Sequence, residues 1–90
     1  MTNNGFPRIA FIGFGEAGQA MAEGLRSEGA AAIAAWDILF PATAGARLQQ
    51  AANRIGVRIA NSAADAVADA GLVIAAVTAS AALFAMRTPM

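Results

Sequence analysis

Three glycines at positions 13, 15 and 18 constrain this chain more than any other feature, because of what flanks them. Residues 8–12 (RIAFI) run directly into Gly13, and their apolar character on both faces suits a strand buried on both sides, as in a parallel sheet. From Glu16 to Glu28, the residues Ala17, Ala20, Met21, Gly24 and Leu25 share one face at helical spacing. A G-x-G-x-x-G set at a strand-to-helix junction has a mechanical reading. Gly13 permits a tight turn, Gly15 lets bare main chain approach a pyrophosphate, and Gly18 lets the helix pack close to the strand. The helix N-terminus then offers unpaired N–H groups and a positive dipole end to the phosphates. The competing reading is a plain glycine-rich turn. Gly24, in mid-helix, costs about 1 kcal/mol relative to alanine, and close contact between helix and sheet is the expected reason for it.

The rest of the chain repeats the alternation. Gly29 stops the first helix as a C′ residue. Residues 32–36 (AIAAW) form a second strand, ended by Asp37. Between Ala42 and Ile55, the residues Leu48, Ala51, Ala52 and Ile55 recur with helical period, and Gly56 ends that segment. Residues 57–60 (VRIA) make a short third strand. Ser62 and Asp65 then form a capping box, with Ser62 accepting from a free backbone N–H and Asp65 reaching back. This short helix runs to Ala70 and closes at Gly71. Residues 72–77 (LVIAAV) are the plainest strand, after which Thr78 or Ser80 caps a last helical turn through Met86. Strands alternating with helices over short connections imply right-handed crossovers and a parallel sheet. The expected class is therefore α/β: a Rossmann-type, three-layer α/β/α unit of about four strands in the order β-α-β-α-β-α-β. A rival for the end of the chain is a membrane span, since residues 70–86 carry no charge. The many alanines there make insertion weak, and a buried strand followed by a helix is the reading adopted.

Asp37 supports a nucleotide. It ends the second strand twenty-four residues beyond Gly13, near the spacing of an acid that holds the adenosine ribose hydroxyls. A carboxylate there repels a 2′-phosphate, and no arginine stands at Ile38, Leu39 or Phe40 to attract one. NAD is expected, with NADP possible. The expected contacts are Gly13, Phe14, Gly15, Glu16, Ala17 and Gly18 at the pyrophosphate, Asp37 at the ribose, and Val77 and Thr78 at the cofactor's other end. Glu16 complements the helix dipole, and Thr78 reads equally as a helix cap. Trp36 and Phe40 are candidates to flank the adenine, with core packing as the simpler role.

The missing residue types bear on chemistry. The chain has no Cys, His, Lys or Tyr, so it has no disulfide, thiolate or Cys-based metal site, and neither metal ligands nor a catalytic residue are assigned. All six cations are arginines, which stay protonated, and the formal charge is zero without a basic run. That argues against nucleic acid and against an anionic membrane surface as partners. Residues 1–7 lack the pattern of a secretory signal, so a cytoplasmic location is expected.

The segment RIAFIGFGEAGQAMAEGL, with Asp37 and with LVIAAVTAS at 72–80, resembles the β-hydroxyacid dehydrogenase family, which includes the 6-phosphogluconate and 3-hydroxyisobutyrate dehydrogenases. Gly13, Gly15, Gly18, Met21, Ala22 and Leu25 match that family's opening in order, while Ala17 stands where it commonly has Met. The resemblance implies hydride transfer between a nicotinamide cofactor and a small hydroxy acid or related substrate. It also implies that residues 1–90 are the N-terminal part of the nucleotide domain, with the catalytic half and the substrate elsewhere. Ending there would leave the fourth strand as an uncovered apolar edge, so self-association is expected. The alternatives are an FAD or S-adenosylmethionine protein on the same fold, and a Rossmann module without enzymatic activity.

Overall fold

The computed structural model describes residues 5–76. Seven elements alternate along the chain: β1 (Ile9–Ile12), α1 (Glu16–Ser27), β2 (Ile33–Trp36), α2 (Ala46–Ile55), β3 (Arg58–Ile59), α3 (Ala63–Val67) and β4 (Leu72–Ala75). A 3₁₀ turn at Thr43–Gly45 leads into α2. The strands form one sheet in the order β3-β2-β1-β4, and every pairing is parallel. This is the strand order of a doubly wound sheet, in which the chain first builds outward from β1 and then returns to its other side. The α/β class and the parallel sheet agree with the sequence pattern.

Side-chain alternation along β1 sorts the core into two layers. Ile9 and Phe11 face α1 and α2, where they meet Ala22, Ile33, Ala35, Ala52, Ile55 and Val57. Ala10 faces the other way, toward Ala60 and Ala66, with Ile12, Trp36 and Val67 packed around them. Helices therefore cover both sides, which is why the strands read as apolar runs rather than alternating ones. Phe11 is fully buried, and burial of a phenylalanine stabilises the fold by about 1.5–3 kcal/mol. The alanines on the α3 side let helix and sheet approach closely.

The helix ends follow local chemistry. Gly29, at φ 110°, adopts the left-handed conformation expected of a C′ residue. Its N–H reaches the Arg26 carbonyl at 3.1 Å, while the Ala30 N–H reaches that of Leu25 at 2.9 Å, the paired bonds of a Schellman stop. Arg26 then ties this corner to its neighbours. Its guanidinium donates to the Ile55, Ala30 and Ala31 carbonyls at 3.1, 3.2 and 3.0 Å. A cation over the carboxyl ends of α1 and α2 also complements both dipoles.

Several local expectations are corrected. The second helix starts at Ala46, not Ala42, because the chain first makes its 3₁₀ turn there. A Cβ on Gly45 would collide with the Leu39 carbonyl, so that turn is held against the segment after β2. The Ser62 hydroxyl does accept from the Asp65 N–H, at 3.0 Å. Asp65, however, reaches back to the Asn61 N–H at 2.9 Å and pairs with Arg58 at 3.1 Å, instead of closing the box on Ser62. The α3 helix ends at Val67. Gly24 is not explained by close packing: a Cβ there would meet nothing within 4 Å. Residues 72–75 are strand, which removes a helical membrane span from that stretch, and among the described residues no helix is long and apolar enough to cross a membrane. The last helical turn expected through Met86 lies outside the described residues.

Candidate functional site

The turn between β1 and α1 lies at the carboxyl end of the central strands, where ligands bind in sheets of this kind. Gly13 begins it with φ 97°, a backbone conformation that a side chain would strain. The Gly13 N–H donates to the Trp36 carbonyl at 2.8 Å, which fixes the turn to the end of β2. Gly18 sits where α1 crosses β1: a Cβ there would lie 2.7 Å from the Gly13 carbonyl oxygen and 3.5 Å from the Ala76 Cβ. Close helix-to-strand packing is thus the reason for this glycine, as expected.

Gly15 is different. Its φ of −74° and ψ of −161° suit any residue, and a Cβ on it would meet nothing within 4 Å. Neither backbone conformation nor packing within the described residues calls for a glycine here. What its missing side chain does is keep open the space in front of the α1 N-terminus. No side chain caps that end. The first intrahelical bond runs from the Gln19 N–H to the Gly15 carbonyl at 2.9 Å, so the N–H groups of Glu16, Ala17 and Gly18 have no partner within the helix. Glu16 and Ala17 are exposed on this first turn. The arrangement suits an anionic group approaching main chain at the positive end of a twelve-residue helix.

Asp37 stands at the same end of the sheet, directly after β2. Its Oδ2 accepts from the Phe14 N–H at 2.7 Å and its Oδ1 from the Leu39 N–H at 2.9 Å. The carboxylate is half-buried. A carboxylate has about four acceptor positions, so two occupied ones leave capacity for the hydroxyls of a ribose. Next to it, Ile38 is 71 % exposed and Leu39 45 %. They present apolar surface, and no cation, at the rim.

The structure therefore brings together Gly13, Phe14, Gly15, Glu16, Ala17, Gly18 and Asp37. Val77 and Thr78 lie outside the described residues. Phe40 is in the core, 6.4 Å from Phe14 between ring centres, and Trp36, half-buried at the end of β2, packs on the α3 side of the sheet. Sequence reasoning missed Gln19, whose Nε2 donates to the Phe14 carbonyl at 3.0 Å. The only signal available was its place one turn into a helix that begins at the glycine turn. A hollow of about 520 Å³ opens at the opposite end of the sheet, beside Arg8, Arg58, Asp65 and Asp69. It faces the amino ends of the strands, and its charges are of mixed sign.

A Rossmann domain holds a nucleotide at just such a junction, with phosphates over the glycine turn and sugar at the end of the second strand. Residues 8–88 match the family described as NADP oxidoreductase, coenzyme F420-dependent, and the chain belongs to that family. It is an NAD(P)-binding Rossmann oxidoreductase domain. The assignment agrees with the oxidoreductase class implied by the opening segment, and it does not single out the β-hydroxyacid dehydrogenases. No curated protein matches the chain.

Proposed function

We propose that this domain binds a nicotinamide dinucleotide at the β1–α1 turn, with its pyrophosphate against the main chain of residues 13–18 and its adenosine ribose at Asp37. The carrying observation is the open space at Gly15, a glycine that the fold itself does not require, in front of an uncapped helix N-terminus. A side chain there would occupy the volume a phosphate needs. The bound nicotinamide supplies hydride chemistry; the residues described here bind and orient, and no catalytic residue is assigned among them.

NAD is favoured over NADP. A 2′-phosphate would meet the Asp37 carboxylate, and the following Ile38 and Leu39 offer it no positive charge. The family's description names NADP, so cofactor choice is where this chain is expected to depart from that description. For the hydride's other partner, two classes are in view. The resemblance carried by residues 8–25, Asp37 and 72–80 suggests a small hydroxy acid. The family match, continuous over residues 8–88, favours coenzyme F420.

Titration of the protein with NADH and NADPH, followed by nicotinamide fluorescence, tests this reading. NADH should bind at least several-fold more tightly. Equal affinities would remove the discriminating role of Asp37, and no binding of either would remove the function.

A further inference from the structure

Residue 14 is held on three sides, through its ring, its carbonyl and its N–H. Its ring is fully buried, edge-on to Phe11 at 6.3 Å and tilted against Phe40 at 6.4 Å. Its carbonyl accepts from the Gln19 carboxamide at 3.0 Å, and its N–H donates to Asp37 at 2.7 Å. The last contact is made beyond the sheet ladder, after the chain has turned at Gly13 with φ 97°. β1 and β2 pair through Ile12 and Trp36, and the Gly13 N–H still finds the Trp36 carbonyl. Beyond that point the β2 chain turns away, with the Phe40 N–H bonding back to the Asp37 carbonyl at 2.9 Å. The acceptor for the Phe14 N–H is the Asp37 side chain. Its second oxygen secures its own turn through the Leu39 N–H.

We infer that Asp37 and Gln19 are positioning residues, which hold the Phe14 peptide so that the phosphate-binding turn is already formed before a nucleotide arrives. This rests on the nucleotide reading above and deepens it: Asp37 supports phosphate binding independently of any contact with the ribose. Pre-formed main chain binds an anion without the loss of chain entropy that ordering a loose glycine turn would entail. An aspartate does this better than an asparagine, because both of its oxygens face N–H donors. An amide would set its own NH₂ against one of them.

The test separates sugar from phosphate. Calorimetric titration with ADP and with 2′,3′-dideoxy-ADP, which lacks the ribose hydroxyls, is carried out on the parent, Asp37→Ala, Asp37→Asn and Gln19→Leu. Amide hydrogen exchange of Phe14 is followed by NMR in the same proteins without ligand, with the Phe11 amide as a reference for the intact sheet. The inference expects Asp37→Ala to weaken dideoxy-ADP about tenfold, the loss of a charge-assisted bond. Asp37→Asn should weaken it by a smaller factor, and Gln19→Leu should weaken both ligands equally. Phe14 exchange should rise about tenfold in Asp37→Ala while Phe11 exchange holds. Dideoxy-ADP binding unchanged in Asp37→Ala, or unchanged Phe14 exchange, would overturn the inference. If the parent binds neither ligand, the nucleotide reading fails, and Phe14 exchange still decides whether Asp37 holds the turn.

Discussion

Two glycines on one helix should respond to the same substitution with opposite signs. Gly24→Ala adds a methyl group that meets nothing within 4 Å, at an exposed mid-helix position. It should gain the helix propensity of alanine, about 0.5–1 kcal/mol, partly by restricting the unfolded chain. Gly18→Ala places the same methyl 2.7 Å from the Gly13 carbonyl oxygen. That atom belongs to a turn fixed by its bond to Trp36 and by its positive φ, so it cannot move aside cheaply. Overpacking of this kind costs about 1–3 kcal/mol. It outweighs the propensity gain, which is also smaller in the first turn. The net expectation is a loss of about 1–2 kcal/mol, and a separation of about 1.5–3 kcal/mol between the two variants. For a domain this small, that corresponds to roughly 10–20 °C in Tm. Urea unfolding followed by the fluorescence of Trp36, the single tryptophan, gives the comparison directly. If Gly18→Ala proved as stabilising as Gly24→Ala, the close crossing of α1 over β1 would be wrong, and with it the placement of the glycine turn.

Three further outcomes follow from particular contacts. Arg26→Lys should cost about 1 kcal/mol in the same unfolding assay, because one ammonium cannot serve the three carbonyls that the planar guanidinium reaches; an unchanged midpoint would remove that tie. The Asp65 carboxyl is held below its ordinary 3.8, first by the Asn61 N–H and then by Arg58. A lowered folded value gives stability that is present above 3.8 and is lost as the pH falls through the folded value. The stability gap between the parent and Asp65→Asn should therefore close in acid, and a gap that persisted below the carboxylate range would contradict it. Among the described residues, the outer side of β4 pairs with no strand, and Leu72 and Val73 are 43 % and 48 % exposed. We propose that this edge can pair between copies: sedimentation should show concentration-dependent self-association that Val73→Lys reduces, whereas a monomer at all concentrations would contradict it.

The parts of this fold that could be read from the sequence are those set by short-range rules. RIAFI announced a strand covered on both faces, and Gly29 and Gly56 marked helix ends because only the left-handed conformation closes them well. The parallel sheet followed from the alternation of elements and the handedness of crossovers. What escaped depends on tertiary approach. The start of α2 at Ala46 is not legible, because Ala42 and Ala44 carry no facial pattern that separates a 3₁₀ turn from a helix. The Leu39 carbonyl against Gly45, which holds this stretch in a 3₁₀ turn, is invisible in the sequence. Gly24 has no packing role, and a glycine in a helix looks the same in sequence whether something approaches it or not. At the site, spacing alone placed Asp37 at the end of β2, but nothing local revealed that its carboxylate grips the Phe14 peptide. Phe14 was read only as main chain against phosphate. Its ring's burial needs Phe11 and Phe40 to converge from two different strand ends.

The central claim is that Gly15 is a glycine to leave room for a phosphate rather than to permit the fold. NADH titration of Gly15→Val, beside its unfolding curve, tests this most directly. The valine finds an allowed backbone conformation and open space, and as a poorer N-cap of α1 than glycine it should cost no more than about 1 kcal/mol of stability. NADH affinity should meanwhile fall at least a hundredfold. A folded Gly15→Val protein that binds NADH as the parent does would contradict the claim.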